Sequence, residues 1–122
     1  MNDNIVIVSA VRTAIGKFGG SLKDIDSGRL ASIVIEEAIK RANIEPTLVD
    51  EVIMGEVRQT TESSNVARVA ALRAGVPVTV PAFTVNRLCA SGMQAIVSGI
   101  QQIAFNQAEV VVAGGTENLS RA

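Results

Sequence analysis

The stretch from Cys89 to Ala108 carries no charged residue. A soluble helix ordinarily turns one charged face toward water, so a helix without such a face has to be covered on most of its sides. A membrane-spanning helix needs roughly 20 predominantly apolar residues. Ser91, Gln94, Ser98, Gln101, Gln102, Asn106 and Gln107 interrupt this run, which makes a buried helix in a layered fold the expectation. Gly92, Ser98 and Gly99 allow another helix to come close. One sheet covers only one side, so the stretch predicts a further layer from sequence outside this chain.

The remaining residues supply the sheet. Ile5–Val8 is a continuous apolar, β-branched run, expected as a strand buried on both faces. Asp26 or Ser27 caps a helix running to about Ala42, with Leu30, Ala31, Val34, Ile35, Ala38 and Ala42 as its inner stripe. Val52–Val57 reads as a second strand. Ser64 or Asn65 starts a short helix through Ala74, stopped by Gly75 and Val76-Pro77. Ala82–Val85 is a third strand, Cys89–Phe105 a third helix and Val110–Ala113 a fourth strand. The order β-α-β-α-β-α-β implies right-handed crossovers and an α/β fold: a mainly parallel sheet flanked by helices.

With 122 residues and an apolar share of 48%, the chain is long enough for one domain with a real core. The net charge of −1, with both signs evenly scattered, argues against nucleic acid or an anionic membrane as partner. Met1–Asn4 is polar and the apolar run after it is too short for a signal peptide. A single cysteine makes no internal disulfide and fits a reducing cytoplasm. Without histidine or clustered acidic residues at ligand spacing, no metal site is expected. The chain stops at Ala122, just past a strand end, where α/β sheets usually build their ligand sites, so a fragment of a longer protein is expected.

Cys89 is the candidate for chemistry. A lone cysteine often serves as a small buried hydrophobe. This one falls where the third strand's exit loop meets the start of a helix. Unpaired N–H groups and the helix dipole stabilise an anion at such a place. The same amides can donate to a thioester oxygen as its carbon becomes tetrahedral. Small residues follow (Ala90, Ser91, Gly92), so a substrate can reach the sulfur. Strand, turn, nucleophile and helix in that order have the logic of a nucleophile elbow, although G-x-S-x-G is absent. Arg12–Gly20 is a glycine-rich turn that fails the P-loop pattern, because Gly16-Lys17 is followed by Phe18. Glu117 is read as a solvated or ion-paired carboxylate rather than a base.

Val85–Gly92 (V-N-R-L-C-A-S-G) resembles the active-site segment of thiolases, N-x-x-C-x-S-G. Arg12–Gly20, Asn65–Arg68 and Val111–Ser120 are similar to three further thiolase signatures, in the same order and spread along the chain. The resemblance implies an acetyl-CoA acetyltransferase or a longer-chain 3-ketoacyl-CoA thiolase. It implies a thiolase-like half with a five-stranded mixed sheet, part of a layered αβαβα architecture, with residues 1–122 as an incomplete N-terminal thiolase domain. By motif matching, Cys89 becomes acylated and its backbone N–H contributes to an oxyanion hole. Coenzyme A thioesters are then substrates, no cofactor is required, and full subunits form a homodimer or homotetramer. Three departures stand out: Ala90 where glycine is common, Glu62-Ser63-Ser64 where Gly and Gln are usual, and Thr116 where methionine is frequent. The activating histidine, the second cysteine and most of the coenzyme A contacts belong to the family's second half.

Two rivals keep the same residues. One is a related condensing enzyme, of ketoacyl synthase or hydroxymethylglutaryl-CoA synthase type. The other is a non-catalytic α/β module.

Overall fold

The computed structural model describes residues 4–122, so the polar start at Met1–Asn4 lies, apart from Asn4, outside the described residues. Three parallel strands form the sheet: β1 (Glu51–Gly55), β2 (Ala82–Val85) and β3 (Val111–Gly115), in the order β2-β1-β3. Val52 pairs with Ala82 on one side and with Val112 on the other. Every residue of the central strand is buried, which a parallel sheet covered on both faces requires.

The period of two in β1 assigns the layers. Val52 and Met54 join the core formed with α1 (Ser27–Ala42) and α2 (Val66–Arg73), where Ala31, Ile35, Ala67, Ala70 and Ala71 are buried. Glu51, Ile53 and Gly55 point to the opposite face, against α3 (Ser91–Ala104). Gln102 of α3 donates to the Glu51 carboxylate at 2.6 Å, so one of the glutamines in the charge-free helix serves a buried acid of the sheet.

Local chemistry sets the helix ends. Asp26 is the N-cap of α1: its Oδ1 accepts the Arg29 N–H at 2.9 Å and also meets the Arg73 guanidinium of α2 at 2.7 Å. Burial opposes ionisation of Asp26, but these bonds and the Arg73 charge prevail, and its carboxyl titrates below its ordinary value. Asn43 (φ 57°) closes α1. Asn65 caps α2, and Gly75 (φ 86°) ends it in the left-handed conformation that glycine adopts without strain.

The structure corrects several expectations, among them two strand limits: the second expected strand ends at Gly55 rather than Val57, and the last runs over Val111–Gly115 rather than Val110–Ala113. The inner stripe of α1 is rotated: Ala31, Ser32, Ile35 and Ile39 are buried because α2 packs on this side, while Leu30, Val34 and Ala38 are only half-buried. The third helix begins at Ser91 rather than Cys89, because Leu88 adopts a left-handed conformation (φ 50°) and Ala90 is the cap. Ile5–Val8 is not a strand. Val6, Ile7 and Val8 are 72%, 77% and 70% exposed. A strand needs a neighbour for its backbone groups, and between this segment and β3 lies a cavity of about 930 Å³, also lined by α1 and α3 side chains.

The outer side of α3 remains open. Met93, Val97 and Ile100, at helical spacing, are exposed, and so is Phe105 beyond its end. This is the face for which the sequence predicts a further layer. Among the described residues no helix is long and apolar enough to cross a membrane.

Candidate active site

β2 ends at Val85, and the chain must reverse within five residues to enter α3. Side chains hold that reversal. Asn86 Oδ1 accepts the Leu88 N–H at 2.9 Å, and its Nδ2 donates to the Val57 carbonyl at 3.2 Å. Ser91, 4% exposed, accepts the Arg87 N–H at 2.8 Å and donates its hydroxyl to the Leu88 carbonyl at 2.7 Å. The Ala90 and Ser91 N–H groups return to the carbonyls of Arg87 and Leu88. Arg87 reaches forward to Gln94 of α3. Leucine at positive φ is disfavoured by its Cβ, so Leu88 keeps this conformation because its N–H and carbonyl are both held.

Cys89 stands at the crest of this turn, exposed and unpaired as a thiol. The N–H groups of Arg87, Leu88, Ala90 and Ser91 all have acceptors inside the turn. Among the described residues the Cys89 N–H has none. An amide donor without an acceptor beside an accessible sulfur is the arrangement an oxyanion requires.

Cys89 borders a cavity of about 330 Å³ at the carboxyl ends of the strands, shared with Gly55, Gly92, Gly115, Thr116 and Glu117. Glycines let the layers meet there. A Cβ on Gly55 would lie 2.4 Å from the Ser91 carbonyl carbon, and one on Gly115 would lie 3.3 Å from Gly92 Cα. Backbone therefore touches backbone where α3 begins.

Glu117 is not free, and among the described residues it has no ion-pair partner. Its carboxylate accepts the Val57 N–H at 2.8 Å and the Arg58 N–H at 3.0 Å, latching the exit of β3 to the exit of β1. Thr116 adds a backbone bond to the Gly55 carbonyl at 3.0 Å and a hydroxyl bond to the Ser27 carbonyl at 2.9 Å. The glycine-rich loop is a turn, as its composition suggests: the Gly20 N–H bonds the Lys17 carbonyl, and the Gly19 N–H bonds Ser120 Oγ at 2.9 Å.

On the other face of the sheet, Glu56 is 1% exposed, and among the described residues neither carboxylate oxygen has a hydrogen-bond partner. Burial raises its pKa. The nearby Ser27 hydroxyl offsets part of this without satisfying either oxygen, and the Glu117 charge raises it further. The N-x-x-C-x-S-G segment contains Asn86 and Ser91 as well as Cys89, but the sequence alone gives a role only to Cys89 and none to Glu56. An acid inside the apolar run Val52–Val57, and an Asn two residues before a turn, were the available signals. No group of three His, Cys, Asp or Glu side chains able to hold a metal occurs among the described residues.

The chain is a parallel α/β layer with an exposed cysteine on a strand–turn–helix corner at the carboxyl ends of its strands. Residues 5–122 match the family model described as thiolase, N-terminal domain. The chain belongs to the thiolase family. It is 50% identical over 119 residues to an acetyl-CoA acetyltransferase of Cupriavidus necator, covering 98% of this chain and 30% of that protein. It is 49% identical over 122 residues to an acetyl-CoA acetyltransferase of Schizosaccharomyces pombe, covering all of this chain and 31% of the relative. The crystal structure of the Bacillus anthracis acetyl-CoA acetyltransferase superposes with a TM-score of 0.88 at 54% identity, over 90% of this chain and 28% of that one. The chain thus spans about 30% of the length of the curated relatives it matches.

Proposed function

We propose that residues 1–122 form the nucleophile-bearing, N-terminal part of an acyltransferase that makes or cleaves 3-ketoacyl-CoA, of the acetyl-CoA C-acetyltransferase type. The observation that carries this reading is the accessible Cys89 thiol beside its own N–H, which has no acceptor among the described residues. The similarity to proteins named acetyl-CoA acetyltransferase supports the choice of substrate.

The chemistry runs in two halves. In the first, the Cys89 sulfur, as thiolate, attacks the carbonyl carbon of an acyl-CoA thioester. The oxygen becomes negative and takes a hydrogen bond from the Cys89 N–H. The C–S bond to coenzyme A breaks, and the departing thiolate takes up a proton as an acyl-enzyme remains. In the second half, the α-carbon of another acyl-CoA loses a proton, attacks the acyl carbon and expels Cys89 as thiolate, giving a 3-ketoacyl-CoA. Thiolysis is the reverse. The thioesters enter as substrates and no separate cofactor takes part.

The base is not among these residues. The chain has no histidine, and Glu117 is committed to two backbone N–H groups. On the family resemblance, we read the activating histidine and a second cysteine as belonging to the other half of the subunit. We read the open face of α3 as the surface that half covers, and a homodimer or homotetramer of full subunits as the working assembly. An exposed thiol suits a reducing compartment, and a cytoplasmic role in fatty-acid metabolism is the reading we adopt.

The test is acyl transfer in the full chain, carrying the sequence that follows residue 122. Incubation with radiolabelled acetyl-CoA should label the protein, and Cys89→Ser should abolish the label. Label that persists in Cys89→Ser would refute the assignment.

A further inference from the structure

We infer that Asn86 is a positioning residue for Cys89, the side chain that fixes the nucleophile's turn to the neighbouring strand end; this rests on the reading of Cys89 as nucleophile. Leu88, immediately before the cysteine, has φ 50° without being glycine, and its conformation decides where both the Cys89 sulfur and the Cys89 N–H point. Two side chains hold it. Ser91 closes the turn on itself, because both its partners, Arg87 N–H and Leu88 carbonyl, lie within the turn. Asn86 does what Ser91 does not. Its Oδ1 holds the Leu88 N–H at 2.9 Å, and its Nδ2 reaches out of the turn to the Val57 carbonyl at 3.2 Å. Val57 is itself gripped, because its N–H goes to Glu117 at 2.8 Å. A continuous line of contacts runs from Glu117 through Val57 and Asn86 to Leu88 and so to Cys89.

A primary amide is the group this role needs. It presents an acceptor toward an N–H and a donor toward a carbonyl from one rigid plane. Aspartate keeps the acceptor for Leu88 but sets a second acceptor against the Val57 carbonyl. Alanine loses both contacts. Glycine at position 88 adopts the left-handed conformation without a holding partner.

The contacts of Asn86 orient the reacting atoms, so their loss should lower the rate of acylation and leave the binding of substrate largely unchanged. A displacement near 1 Å at a reacting centre can cost on the order of 100-fold in rate.

The experiment uses the full chain with the sequence that follows residue 122 and acetyl-CoA as the probe. It measures single-turnover acylation of Cys89 by mass spectrometry, steady-state kcat and KM, the pH profile of Cys89 alkylation by iodoacetamide, and thermal unfolding. Asn86→Ala should slow acylation by about 10-fold or more, with KM changed by less than about twofold. Asn86→Asp should do the same, which singles out the bond to Val57. In the Asn86→Ala background, Leu88→Gly should restore part of the rate. Should Asn86→Ala fail to fold, Asn86→Asp carries the test with the same expected loss. Wild-type acylation rates in either folded variant would overturn the role of Asn86 while leaving Cys89 as nucleophile. So would a loss fully explained by the unfolded fraction, with the alkylation profile unmoved. Absence of acyl label on Cys89 in the unmodified chain would instead remove the nucleophile reading, and this inference with it.

Discussion

Gly55 and Ser91 touch through their backbones: a Cβ on Gly55 would lie 2.4 Å from the Ser91 carbonyl carbon, 2.6 Å from its oxygen and 2.8 Å from the Gly92 nitrogen. The first turn of α3 thus rests directly on the last residue of the central strand, and the cysteine turn stands on that contact. No flexible side chain lies between them to absorb an added methyl.

Gly55→Ala should therefore destabilise the full chain by about 1–3 kcal/mol, the usual cost of overpacking a rigid site, and should depress acyl transfer as well. Gly114→Ala provides the contrast. Its Cβ would meet only the end of the Met54 side chain, at 3.5 Å, and its effect should stay within about 0.5 kcal/mol. Denaturant titration of both variants checks this, and equal midpoints would show that the close approach carries no weight.

Glu56 should make stability fall as pH rises. Its carboxyl is buried without a partner among the described residues, and burial first, then the Glu117 charge, raises its pKa above its ordinary value in the folded state. The folded state therefore holds the proton more tightly than the unfolded chain does. The cost of Glu56 is absent below its ordinary pKa and grows as pH climbs from there through the folded value. Glu56→Gln should be more stable than the parent at neutral pH, with the difference vanishing toward pH 4. Unfolding midpoints measured across that range decide it, and a constant difference would contradict the buried acid as the cause.

Glu117 should behave as a latch rather than a base. Glu117→Ala leaves the Val57 and Arg58 N–H groups without their acceptor, and should cost about 1–3 kcal/mol. Glu117→Gln keeps one acceptor oxygen and removes the charge, so the pH–rate profile of acyl transfer should keep its shape while the protein melts earlier. Loss of one limb of that profile would instead make Glu117 a proton carrier.

Much of the architecture is legible in the sequence. Ala82–Val85 is a strand with the limits its sequence suggests. Asp26 and Asn65 cap the helices expected of them, because capping and turn preferences act over three or four residues. The missing charge in α3 corresponds to a face left open. The place of Cys89 in the order strand, turn, helix, together with its match to the thiolase motif, makes it the nucleophile candidate.

Other features needed the fold. Ile5–Val8 has the composition of a buried strand, yet whether a strand forms depends on a neighbour that lies elsewhere, and here a cavity separates it from β3. Glu117, expected to be solvated or paired with a cation, instead binds backbone N–H groups far away in sequence. The grip of Asn86 on Val57 joins residues 29 apart in sequence. The sequence alone determined the α/β class, the helix caps and the identity of the exposed nucleophile candidate, since periodicity, capping and motif order are local. Only the tertiary structure decided which donor is left unpaired beside Cys89, which acid is buried and which glycines bear contact. Those properties depend on what other parts of the chain bring within a few ångströms.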